Sequence, residues 1–174
     1  KNCREVLKKI KKKNYYTYGT NNKANFQIYN IIQNEKFSKF DLKIKIPGRK
    51  TIISNIKIPL IGLHNIKNAT SAFAVSFAIG INPRTIKNGL LKFRGVQRRF
   101  NFLFEKNKAK FFDDYAHHPT EIASVLEGVN KVYKKKEIIC IFQPHRISRV
   151  KSLKLEFSKS FKTSDTVLLC PIYK

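Results

Sequence analysis

The chain has 174 residues, 42% of them hydrophobic, with 36 lysines and arginines against 11 aspartates and glutamates. That apolar share suits one large domain or two small ones and excludes wholesale disorder. No apolar run reaches the ~20 residues that span a bilayer, and the opening lacks the charged, apolar, small-residue order of a signal peptide. The net charge of +25 favours anionic partners. Yet the lysines are spread along the whole chain beside abundant Asn, Ile, Phe and Tyr, as codon bias in an AT-rich genome would produce. The runs Lys8–Lys13 and Lys134–Lys136 read as solvated helix ends. A start at Lys1 and the lack of any methionine suggest an excised or processed segment. Cys3, Cys140 and Cys170 form no CxxC pair, and the latter two sit in apolar runs. They are expected to be buried thiols of a cytoplasmic protein.

Short β-like segments come first: Tyr15 to Tyr18, Phe26 to Ile32, Phe40 to Ile46 and Ile52 to Pro59. Leu42, Ile44 and Ile46 alternate, and Pro47-Gly48 breaks the strand, so an antiparallel meander is predicted. After Gly62 the period becomes helical. Ala69, Ala72, Phe73, Ser76 and Phe77 define the expected buried face, and Gly80 the stop. Asn82-Pro83 supplies an N-cap and a first-turn proline for a helix carrying Ile86, Leu90 and Phe93. A domain boundary is expected near Arg94–Val96. Beyond it, a hairpin-like stretch from Phe102 to Phe112 leads to a helix opened by Pro119-Thr120-Glu121. A buried strand at Ile138–Phe142 follows, then a helix with Val150, Leu153, Phe157 and Phe161, and a strand at Thr166–Leu169. Strands alternating with helices predict one parallel sheet with crossover connections.

Ligands of an open parallel sheet bind beyond the carboxyl ends of its strands. Asp113–His118 follows one predicted strand and Gln143–Arg149 the next, so both are expected on one rim. Arg146 and Arg149, three apart at a helix start, can grip carboxylate or phosphate through paired hydrogen bonds. The helix N-terminus adds partial positive charge on that side. Asp113 and Asp114 suit sugar hydroxyls, and His117, His118 and His145 can donate, accept or carry protons near neutrality. Plainer readings stand beside these. Adjacent aspartates also serve as caps, Arg98-Arg99 also fits surface basicity, and Gly62–Asn65 also fits a strand-to-helix turn capped by Asn65. No ligand spacing beyond the histidine pair supports a metal, and none is assigned to these residues. A basic nucleic-acid-binding module is the reading from another class. It needs a clustered basic face with stacking aromatics, whereas here the charge is diffuse and the aromatics mostly fall at core positions.

Four motifs in this order and spacing resemble the Mur ligase family: Gly62-Leu63-His64-Asn65-Ile66-Lys67-Asn68-Ala69; Gln97-Arg98-Arg99-Phe100; Asp113-Asp114-Tyr115-Ala116-His117-His118-Pro119-Thr120-Glu121; and Phe142-Gln143-Pro144-His145-Arg146. The resemblance covers nearly the whole chain and is strong from Leu60 onward. Before that it rests on the Tyr18-Gly19 turn and the β-rich run. It implies an α/β fold. Residues 1–95 would be the later part of a central ATPase domain, a β-meander plus helices. Residues 96–174 would be the first part of a Rossmann-like C-terminal domain. The implied activity is an ATP-dependent ligase of peptidoglycan biosynthesis, joining L-alanine to UDP-N-acetylmuramate through an acyl phosphate. A branch that joins the same nucleotide sugar to a murein tripeptide is the alternative, and Gln143-Pro144-His145-Arg146 favours the first. Where the family motif continues Ser-Arg-Thr, this chain has Ser148-Arg149-Val150. The family's glycine-rich Lys-Thr phosphate loop has no match here, and its Mg2+ ligands are expected upstream. The chain is therefore expected to be an internal piece, inactive alone. By resemblance, ATP would meet His64, Asn65 and Asn68 through adenine, and Arg98 or Arg99 with Asp113 or Asp114 through ribose and phosphates. Tyr115, His145, Arg146 and Arg149 would bind muramate and alanine, with His117, His118, Arg146 and Arg149 as the catalytic set.

Overall fold

Alternating apolar side chains build the first sheet of the computed structural model, which describes residues 15–173. Cys3 and the Lys8–Lys13 run lie outside the described residues. Strands β1 (Tyr18–Gly19), β2 (Phe26–Gln33), β3 (Ser38–Ile46) and β4 (Arg49–Ile58) lie in that order. Phe26, Ile28, Phe40, Leu42, Ile44 and Ile56 are fully or almost fully buried on one face, as period-2 alternation requires. Strands β2 to β4 form the predicted antiparallel meander. Ile46 pairs with Arg49 across Pro47-Gly48, where Gly48 takes φ +71. The tyrosine run departs from the prediction. Only Tyr18 and Gly19 pair, and they run parallel to β2. The reason is local: Thr17 donates from its amide and hydroxyl to Asn25 Oδ1, both at 2.9 Å, which closes the intervening turn side by side with β2.

Helices α1 (Leu63–Ala78) and α2 (Pro83–Lys92) cover the apolar face. The buried set of α1 is Ile66, Ala69, Thr70, Phe73, Ala74 and Phe77, a regular 3–4 spacing. Ala69, Phe73 and Phe77 are buried as predicted, whereas Ala72 is exposed and Ser76 half-buried. Thr70 can take the inner place because its hydroxyl donates to the Ile66 carbonyl at 2.8 Å, leaving no unpaired polar group inside. Gly80 ends the helix at φ +90, donating to Phe77 O while Ile81 donates to Ser76 O, a paired C-terminal closure. Asn82 caps α2 by accepting the Arg84 amide at 2.8 Å, with Pro83 in the first turn. Asn82→Ala should therefore lower stability by about 1 kcal/mol. The check is a urea titration: a lower midpoint at unchanged slope is expected, and an unmoved midpoint would deny the cap any weight.

The second half has its own core of Ile122, Leu126, Ile138, Phe142 and Phe157. Its elements are β5 (Asn101–Lys106), β6 (Ala109–Asp113), α3 (Pro119–Val132), β7 (Ile139–Phe142), α4 (Ile147–Ser152), α5 (Lys154–Ser160) and β8 (Thr166–Leu169). The predicted hairpin is present: β5 and β6 pair antiparallel across Asn107 and Lys108, both at positive φ, as a two-residue primed turn requires. The predicted parallel sheet is present only as β7 with β8. Strand β6 stays in a separate two-stranded sheet. The chain after it is tied back to the base of β5, with Tyr115 N–H donating to Arg98 O at 2.8 Å and Asp114 accepting from Phe100 N–H. The predicted long helix is broken at Leu153 (φ −119). There the Ser152 hydroxyl shares the Arg149 carbonyl with the Leu153 amide, a competition that bends helices. Cys140 and Cys170 are free and half-buried rather than buried, and burial pushes the Cys140 thiol up. Lys134–Lys136 are exposed just past α3. Among the described residues no helix is long and apolar enough to cross a membrane.

Candidate functional site

Two glycines decide where the halves meet. Gly62, which precedes α1, takes φ +93, and a Cβ there would lie 2.6 Å from His64 Cε1. Gly128 of α3 is also constrained, because a Cβ on it would lie 3.0 Å from Gly62 Cα. Helix α3 thus rests on the start of α1 with no side chain between them. Beside this contact opens a cleft of about 700 Å³, within the size range of small-molecule sites. His64, Asn65 and Asn68 line it from α1, and Arg99, Asp114, Thr120, Glu121 and Ser124 from the other half. Ile58, Leu60, Leu90, Phe93 and Val125 supply apolar wall.

His64 is half-buried. Desolvation lowers its pKa against the opposing pull of Asp114 and the Ser124 backbone, so the imidazole is neutral near pH 7. Its Nδ1 is buried with no protein partner, on the ring edge that faces Gly62. Asn65 is not the helix cap, a place taken by Gly62. Its amide instead donates to Ile61 O at 2.8 Å. Asn68 is exposed on the same helix face.

The paired arginines and paired aspartates separate by neighbour. Arg98 turns from the cleft, with Nε 3.4 Å from Asp113 Oδ2 and its guanidinium 4.9 Å above the Tyr115 ring. Arg99 lines the cleft, with Nη1 3.8 Å from Glu121 Oε1. Asp114 also lines it while its oxygens accept from the amides of Phe100 at 2.8 Å and Ala116 at 2.7 Å.

The histidine pair opens α3. His118 is its N-cap, accepting the Thr120 amide on Nδ1, and Glu121 closes the box by accepting both the His117 and His118 amides at 3.2 Å. Burial is the largest single influence on the Glu121 carboxyl and pushes it up. Those two amides, with His117 and Arg99, outweigh it and hold the group below its usual value. Sequence reasoning saw Glu121 only as a helix opener. A Ser or Thr three residues earlier would have flagged the box, and His118 in that place hid it. His117 Nδ1 lies 3.0 Å from Tyr115 O, and its ring meets the Tyr115 ring edge-on at 5.1 Å.

The two polar segments predicted to converge do touch. Arg149 Nη1 donates to His117 O at 3.4 Å. His145 packs on Tyr173 at 5.6 Å, and Arg146 is exposed at φ +65 at the start of α4. Tyr115, His117, His118, His145, Arg146 and Arg149, like Arg98 and Asp113, lie outside the lining of the cleft. The predicted set therefore divides into a cleft group and a neighbouring group joined through the 113–121 segment. A second tie spans the halves, Lys110 Nζ to Glu35 Oε2 at 2.6 Å. Among the described residues no three His, Cys, Asp or Glu side chains converge as a metal requires. No step is assigned through a metal on these residues.

Residues 1–76 match the Mur ligase middle domain, and residues 98–172 match the Mur ligase glutamate ligase domain. The chain belongs to the Mur ligase family. It is 59% identical over 174 residues to the UDP-N-acetylmuramate–L-alanine ligase of Pelagibacter ubique (strain HTCC1062), covering 99% of this chain and 38% of that protein. The ligase of the same name from Rhizobium meliloti (strain 1021) is 40% identical over 170 residues, covering 97% of this chain and 36% of that one. Among solved structures, the UDP-N-acetylmuramate–alanine ligase of Thermotoga maritima superposes with a TM-score of 0.73 at 27% identity, over 91% of this chain and 34% of that one. The chain thus spans little more than a third of the length of these relatives.

Proposed function

We propose that this chain is the part of an ATP-dependent ligase in which a central domain, to residue 95, meets a C-terminal domain from residue 96. The complete polypeptide would join L-alanine to UDP-N-acetylmuramate in the cytoplasm. The observation that carries this reading is the 59% identity along 99% of the chain to a ligase of that name. The muramate carboxylate takes the γ-phosphoryl group of ATP, giving an acyl phosphate and ADP. The alanine amine then attacks the acyl carbon, and inorganic phosphate leaves. Negative charge accumulates at both steps, so positioning and cationic stabilisation supply most of the rate.

In this reading the 700 Å³ cleft takes the nucleotide. Neutral His64, with Asn65 and Asn68 beside it in the lining, is assigned to the adenine. Between the paired candidates, Arg99 and Asp114 are assigned to phosphates and ribose, because Arg98 and Asp113 are paired outside the cleft. The neighbouring group, Tyr115, His117 and Arg149 with His145 and Arg146, is assigned to muramate and alanine. Both histidines use Nδ1 locally, His118 for the Thr120 amide and His117 towards the Tyr115 carbonyl, so each is left Nε2 for a substrate.

The test is phosphate release by the complete polypeptide, which should require ATP, UDP-N-acetylmuramate and L-alanine together. The 174-residue chain alone should release none, since it has no phosphate loop. Equal stimulation by a murein tripeptide in place of alanine would move the assignment to the recycling branch. Sequence-selective nucleic-acid binding without ligase activity would overturn it.

A further inference from the structure

We propose that Glu121 is a positioning residue that aims Arg99 into the nucleotide cleft, an inference that rests on the ATP reading above. The segment entering the second half is held by three different carboxylates at three successive residues. Asp113 pairs with the Arg98 side chain, Glu121 with the Arg99 side chain, and Asp114 accepts the Phe100 amide. Arg98 and Phe100 both have positive φ, +56 and +53. Non-glycine residues keep that conformation only where their surroundings over-determine it. The backbone on either side of Arg99 is thus pinned, while its long side chain is more than half exposed and rich in rotamers. Glu121 is the carboxylate that meets it. The same carboxylate accepts the amides of His117 and His118, so one group registers Arg99 against the segment bearing Tyr115 and His117. A position that also lines the cleft makes Glu121 the link between the two groups of the site.

A plain capping role is the competing account, and chemistry separates the two. Glutamine closes a capping box as glutamate does but carries no charge for Arg99. In the complete polypeptide, Glu121→Gln should keep its melting temperature within about 2 °C of the parent. Its KM for ATP should rise about three- to fivefold, the scale of an exposed ion pair, with kcat changed less. Glu121→Ala should lose melting temperature as well. In an Arg99→Ala background, Glu121→Gln should add nothing to the KM for ATP, the non-additivity expected of coupled residues. An unchanged KM in Glu121→Gln, in an enzyme that does depend on ATP, overturns the proposal and leaves the ATP reading standing. So do additive effects in the Arg99→Ala background, or a glutamine variant as unstable as the alanine one. A complete polypeptide with no dependence on ATP overturns that reading, and the positioning role with it.

Discussion

Gly62→Ala should destabilise the fold by about 3 kcal/mol and abolish nucleotide binding in the complete polypeptide. Gly62 lies at φ +93, ψ 142, where a residue with a Cβ is strained by about 1–3 kcal/mol. Strain is the smaller part of the argument. The new methyl would stand 2.6 Å from His64 Cε1, and the Gly62 backbone already lies against Gly128. The ring therefore has to leave its place, because α3 blocks the backbone from retreating. Gly80→Ala is the control. Its φ is +90 but nothing lies within 4 Å of the added carbon, so it should show strain without loss of binding. Urea midpoints and titration with a non-hydrolysable ATP analogue separate the two effects. Wild-type nucleotide affinity in Gly62→Ala would mean that His64 does not meet the ligand.

The contrast between these glycines marks what the sequence could disclose. Gly80 was legible because it ends an apolar period and precedes Asn82-Pro83, all local signals. The role of Gly62 depends on Gly128, which lies far along the chain, and no periodicity reports that approach. The same division runs through the fold. The alternation of Leu42 and Ile44, the Pro47-Gly48 turn and the Asn82 cap are nearest-neighbour chemistry and were predictable. The burial of Thr70 rests on a hydroxyl bonded one turn back, which a hydrophobicity pattern cannot register. Strand pairing failed for a related reason. Local strand signals at 102–112 and 138–142 do not say whether the second strand of a hairpin will also serve a parallel neighbour. Here it pairs with β5 alone, and the chain after it is bonded to Arg98 and Phe100.

Within the site, residue type was legible and assignment was not. Arg98 and Arg99 are adjacent, as are Asp113 and Asp114, and either member of each pair satisfied the sequence. In space the two guanidinium groups go to different partners, with the backbone at positive φ on either side of Arg99. Glu121 reads in sequence as the end of the 113–121 motif and a helix opener, and its contact with Arg99 and the two histidine amides is seen only in space.

Arg149→Lys should raise the KM for L-alanine in the complete polypeptide by at least about tenfold, and Arg146→Lys by much less. A small zwitterion offers few handles, and its carboxylate must be held while the amine stays free to attack. A guanidinium fork supplies two parallel charge-assisted bonds, and a lysine supplies one without fixed direction. The lost bond is worth about 1.5–3 kcal/mol, which corresponds to one to two powers of ten. Sequence alone left both arginines eligible. The structure gives them unlike surroundings, since Arg149 is half-buried against the His117 carbonyl. Arg146 is exposed, at a strained backbone position before α4. A guanidinium already held by the His117 carbonyl has less freedom to lose on binding, which makes Arg149 the stronger candidate. The measurement is a three-substrate kinetic comparison of both variants. The KM values for ATP and UDP-N-acetylmuramate should move less than that for alanine. A wild-type alanine dependence in Arg149→Lys would assign that guanidinium to holding the His117 loop, and the carboxylate would need another partner.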